Sequence, residues 1–141
     1  MNATGIRSHV VAYTVGAALV AVAAGCSSDA SNDEVTAASV CAQIEDAGIG
    51  ENCVPSEPGG LQVAATEVYD FDLISVPGEG GAVMKFDNPE QYSRTVESFE
   101  EAAFLAGPHR YGSDSALVFV QINEGLSADG GAEVKGIVDD L

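Results

Sequence analysis

The acid–base groups that could do chemistry near neutral pH in these 141 residues are chiefly two histidines and 22 carboxylates. His109 is the only histidine after His9. Serine and aspartate are plentiful enough to write a Ser-His-Asp set around it. Such a triad is defined by geometry, however, and no G-x-S-x-G turn accompanies it. His109 follows a helix-ending Gly107-Pro108 and precedes Arg110, a context that reads as an exposed or edge histidine. Paired carboxylates act as general acid and base in glycoside hydrolysis. Asp70 and Asp72 would share one face of a strand and could jointly meet a cation or a sugar; the competing reading is a solvated strand face. Hard oxygen ligands suit calcium, yet neither Asp87-Asn88-Pro89-Glu90 nor Asp129-Gly130-Gly131 has EF-hand spacing. The glycine-rich stretches Pro77 to Gly81 and Gly125 to Gly131 lack both the Walker lysine and the dinucleotide spacing. No catalytic residue, cofactor site or metal site is therefore expected. The alternative is a small carboxylate-dependent hydrolase, assisted by calcium.

The charge is distributed unevenly. Five basic residues face 22 acidic ones, for a formal net charge of −17. Nucleic acid is thereby disfavoured as a partner, because binding it depends on neutralising phosphates. No acidic residue occurs before Asp29. Arg7 precedes an uncharged run over residues 10–25, VVAYTVGAALVAVAAG, and Cys26 is followed by the polar, acidic SSDASNDE. This order of basic, apolar, small-residue and polar segments reads as a secretory signal. The run falls short of the roughly 20 apolar residues that cross a bilayer. Ala23-Ala24-Gly25-Cys26 resembles the lipobox of bacterial lipoproteins, with alanine at the position where leucine is commonest. The resemblance covers residues 1–26. It implies diacylglycerol on the Cys26 thiol, cleavage before Cys26 and acylation, typically with palmitate, of the new amino terminus. Residues 1–25 are thus expected to be a signal peptide, 26–33 a lipidated cysteine with a flexible acidic tether, and 34–141 one small domain. Cleavage would remove Arg7 alone among the charged residues and so take the formal charge from −17 to −18.

Export sets the expectation for the other two cysteines. In an oxidising compartment Cys41 and Cys53 would form a disulfide. Free thiols or a metal site are the alternatives, but no histidine lies between residues 10 and 108 and there is no CxxC. With the apolar signal removed, the 46% apolar fraction overstates the core, which makes a staple more useful.

The elements that would position these residues follow from periodicity. Residues 33–48 read as a helix capped by Asn32 or Asp33, with Val40, Ile44 and Ala47 on one side, Cys41 beside them and Gly48 as the stop. Residues 49–60 read as loop, from Gly50, Pro55, Pro58, Gly59 and Gly60. A strand lies within 61–74, where Tyr69, Phe71 and Leu73 alternate with Asp70 and Asp72. A second covers 82–86, with Ala82, Met84 and Phe86 opposite Val83 and Lys85. Asn88, Pro89 and Gln91 announce the strongest helix, whose stripe is Tyr92, Val96, Phe99, Ala103 and Ala106. Phe104 falls off that stripe and belongs either to the buried face or to an interface. After a short extended segment at His109 to Tyr111, the run at 116–122 is apolar on both sides and suits a central strand covered by helices. Val134, Ile137, Val138 and Leu141 recur at helical spacing in the tail. The expected class is α+β, a small antiparallel or mixed sheet with packed helices in the order α-β-β-α-β-β-α, with Gly81 to Leu141 as a β-α-β-β-α unit.

The functional expectation is a lipoprotein of the cell envelope, exported and lipid-anchored to the cell membrane or outer membrane through Cys26. Its acidic body would bind a protein or small ligand without catalysis. A purely structural envelope component is a further alternative. The markers available for binding are Tyr69, Phe71, Tyr92, Phe104 and Tyr111 in a tryptophan-free body.

Overall fold

A computed structural model of the protein describes residues 34–141. Residues 1–33 lie outside this range, and with them Cys26, the signal segment and the tether. The described chain is α+β, with helices packed on a five-stranded sheet in which every pairing is antiparallel. In chain order the elements are α1 (Ala37–Asp46), β1 (Gly50–Ser56), a 3-10 turn (Gly60–Gln62), β2 (Glu67–Leu73), β3 (Gly80–Lys85), α2 (Pro89–Glu101), the single turn α3 (Ala103–Ala106), β4 (His109–Ser113), β5 (Val118–Ile122) and α4 (Ala128–Asp139). The strands lie side by side as β1-β2-β3-β5-β4.

Alternation along the strands divides the core into two layers. Phe71, Leu73, Val83, Val118, Val120 and Ile122 face Val40, Cys41 and Ile44 of α1 and Val134 and Val138 of α4. On the other side, Val68, Ala82, Met84, Phe86 and Phe119 meet Tyr92 and Phe99 of α2 and Ala106 of α3. Phe86 stands edge-on to Tyr92 at 5.8 Å and Phe99 lies 5.2 Å from Phe119. β5 is buried at every position because it sits between β3 and β4 with helices over both faces. The unit from Gly81 to Leu141 has the β-α-β-β-α order read from the sequence, with α3 as an extra turn.

Helix α2 starts as its sequence dictates. The Asn88 side chain accepts from the amides of Glu90 and Gln91, with Pro89 at the first helical position. Helix α1 starts later than expected, at Thr36 rather than Asn32 or Asp33. Thr36 and Ser39 form a reciprocal capping box, which satisfies two otherwise unpaired amides. Helix α4 is capped by Ser127, whose side chain accepts from the amide of Gly130.

The main departure is β1, in a stretch read as loop. GENCVPS shows no alternation and contains Pro55, which is tolerated because β1 is an edge strand. Its register with β2 shifts between Glu51 and Val54, and Asn52 at the shift has φ 60°. The strand is held by long-range partners that composition does not display.

Candidate functional site

Two of the three cysteines are placed. Cys41, fully buried in α1, and Cys53, in the irregular part of β1, form a disulfide with Cα atoms 6.0 Å apart. Two further bonds fix the same corner. Glu45 Oε1 of α1 accepts from the Cys53 amide at 2.9 Å, and Asn52 Nδ2 donates to Asp72 Oδ2 at 2.9 Å. The bridge therefore pins a strand to the helix, not a loop. Cys26, the expected lipid attachment, lies outside the described residues.

Asp70 and Asp72 do share a strand face, but their surroundings differ. Asp72 is engaged by Asn52, whereas Asp70 lines a cavity of about 270 Å³ with Gln62, Gln121 and Asn123. Asn88 is spent on capping α2, and Asp87 accepts from the Thr66 hydroxyl at 3.4 Å. Among the described residues, no three His, Cys, Asp or Glu side chains converge in a way that could hold a metal ion.

His109 is a structural strap between β4 and the start of α4. Its Nε2–H donates to the carbonyl of Leu126 at 2.8 Å, because a carbonyl can only accept, and in the neutral ring the Tyr111 hydroxyl then donates to Nδ1 at 2.8 Å. Burial raises the Tyr111 pKa above its ordinary value, against the opposing charge of Lys135. The pair fits beneath α4 only because residue 131 has no side chain. A Cβ there would stand 2.5 Å from His109 Nδ1 and 2.6 Å from the Tyr111 hydroxyl oxygen.

The feature that stands out is α3. Helix α2 ends at Ala102 (φ −93°, ψ 22°), and α3 follows directly as a single turn. Ala106 then enters the core, while Phe104 is 84% exposed and Leu105 75% exposed. This turn is firmly held. Buried Gln121 donates from Nε2 to the Ala106 carbonyl at 2.8 Å and to Asn123 Oδ1 at 3.2 Å. Arg110 donates to the Gly107 carbonyl, and its Nε and Nη2 grip both oxygens of Glu100 at 3.1 and 3.2 Å. The Glu100 pKa is lowered, mainly by that hydrogen bond from Arg110, which outweighs the opposing effect of desolvation and is helped by the Arg110 charge. Gly107 leaves the turn at φ 75°, a conformation that favours glycine.

Shallow concavities flank the exposed pair. One of about 390 Å³ is lined by Ala103, Phe104, Pro108 and Arg110; the other, of about 310 Å³, by Glu79, Leu105 and Asn123. Phe104, Gly107 and Glu124 border both. Asn123 also borders the Asp70 cavity, so the concave surface continues past the start of β3. Of the five aromatic markers in the sequence, Phe71 and Tyr92 are core, Tyr69 and Tyr111 are half-buried, and only Phe104 is presented to solvent. Leu105, next to Phe104, is not among the aromatic markers the sequence offers. An adjacent apolar pair that falls off the Tyr92–Ala106 stripe is the signal that could have found them.

No protein-family model, curated protein or solved structure matches this chain. Among the described residues no helix is long and apolar enough to cross a membrane.

Proposed function

We propose that the protein is a lipid-anchored, non-enzymatic binding lipoprotein of the cell envelope. Cys26 carries the acyl chains, residues 26–33 form the tether, and the body engages a protein or small ligand through the surface around Phe104 and Leu105. The observation that carries the binding role is this apolar pair, held outward by a turn whose carbonyls are tied down by Gln121 and Arg110. Covering a large apolar side chain is worth roughly 1.5–3 kcal/mol. A rigid turn loses little conformational freedom on binding, so more of that gain is kept. The anchor rests on the lipobox-like Ala23-Ala24-Gly25-Cys26. Several acyl chains on one residue give stable attachment where one does not.

Replacing Cys26 with Ser tests the anchor. The variant should move from the membrane fraction to the soluble fraction and lose detergent-phase partitioning. Unchanged partitioning would refute the anchor and leave the binding surface to be judged separately.

A further inference from the structure

Resting on the reading of the body as a binding module, we infer that the Phe104–Leu105 surface takes a cationic amphipathic segment of another protein. Such a segment offers apolar side chains to the exposed pair and lysine or arginine to the carboxylates around it. Charge selects this occupant. Glu79 and Glu124 line the concavities beside Phe104, and among the described residues neither is ion-paired. The one cation at the site among the described residues, Arg110, has two of its nitrogens on Glu100 and the third on the Gly107 carbonyl. An approaching partner therefore meets uncompensated negative charge around an apolar knob.

The same charge argues against the other occupants. A second copy would bring Glu79 and Glu124 against their own equivalents, on a molecule of net charge −17. It would also need roughly 800 Å² of covered surface on each partner for a stable interface, far more than two side chains provide. An anionic lipid surface is repelled by the same carboxylates. A basic segment gains from them both in rate of encounter and in specificity.

The experiment uses the full chain in neutral detergent micelles and three fluorescent synthetic peptides of equal length: leucine/lysine, serine/lysine and leucine/serine. Anisotropy should show the leucine/lysine peptide binding, with the other two at least ~10-fold weaker. F104S/L105S should weaken that binding by at least ~10-fold. E79Q/E124Q should weaken it and flatten its salt dependence. V63S, which truncates a residue 73% exposed on the segment before β2, should change nothing. All these substitutions remove exposed or half-buried atoms, and an unchanged urea midpoint verifies folding. Absence of leucine/lysine binding, or equal binding by F104S/L105S and V63S, would overturn the inference. So would equal binding of the serine/lysine peptide. A dimer that F104S/L105S dissociates would assign the surface to a second copy instead. Anionic-vesicle binding lost in that variant would assign it to lipid. Either result overturns the proposal. The outcome is independent of the Cys26→Ser fractionation, so the two readings fail separately.

Discussion

Helix α4 contains three glycines that separate backbone propensity from packing. In a helix interior glycine is about 1 kcal/mol less favourable than alanine, so propensity alone predicts the same stabilisation from Gly130→Ala, Gly131→Ala and Gly136→Ala. Their surroundings differ. A Cβ at Gly136 meets nothing within 4 Å. At Gly130 it comes 2.7 Å from Leu126 Cδ1, the far end of a flexible side chain. At Gly131 it falls 2.5 to 2.7 Å from the His109 ring and the Tyr111 hydroxyl. That ring is bonded at both nitrogens and cannot retreat without losing partners. Overpacking costs typically 1–3 kcal/mol, and each lost hydrogen bond about 1 kcal/mol more. Gly136→Ala should therefore gain up to about 1 kcal/mol. Gly131→Ala should lose about 2 kcal/mol net, because steric and polar losses exceed the propensity gain. Gly130→Ala should lie between them. Urea titrations of the purified protein give the three values. In a domain of this size 1 kcal/mol corresponds to roughly 4–8 °C in Tm, so the ordering is also visible by heating. Equal stabilisation by Gly131→Ala and Gly136→Ala would refute the His109 strap.

Other expectations are equally direct. Cys41→Ser/Cys53→Ser, or reduction of the wild type, should cost about 3 kcal/mol in the chain-entropy account; an unchanged urea midpoint would show that Glu45 and the strand pairing hold the corner alone. Burial, reinforced by a hydrogen bond and negative charge from Asp114, pushes the Tyr92 pKa up to about 12. The folded state thus keeps a proton that the unfolded state releases near pH 10, and stability falls as pH rises from 10 to 12, by on the order of 2 kcal/mol. Tyr92→Phe should show a flatter decline over that window, and parallel curves for wild type and variant would contradict the assignment. Asn88→Ala removes the acceptor for two amides of α2 and should cost about 1 kcal/mol by chemical denaturation.

The parts of the fold legible in the sequence are those whose local signals agree with their final surroundings. Asn88-Pro89 and the four-three spacing from Tyr92 to Ala106, read as one helix, specify α2 and the turn α3 that continues it because one face of both meets one core layer. The apolar run at residues 116–122 reads as a central strand because β5, which it contains, is covered on both faces. β1 was not legible. Its pairing with β2, the bridge to Cys41 and the Glu45 contact are non-local, and Gly50 and Pro55 locally suggest a turn. The site was half legible. The Phe104 position off the stripe was visible, but the bonds from Gln121 and Arg110 that hold the end of its turn come from residues distant in sequence. The role of His109 as a strap was hidden for the same reason, since its partners include a backbone carbonyl 17 residues away.

The strand order β1-β2-β3-β5-β4 also dictates when the sheet can close. Chain order passes from β3 through α2 and α3 to the outer strand β4, and only then returns to insert β5 between them. Until residues 118–122 arrive, β3 has an open edge carrying Val83 and Met84, and β4 has no sheet to join. An unpaired apolar edge is a template for aggregation, and pairing between sequence-distant strands is slow to form. A chain cut short before Val118 should therefore leave more than a missing strand. It should leave a split sheet that self-associates, with the acidic surface as its main protection in the interval.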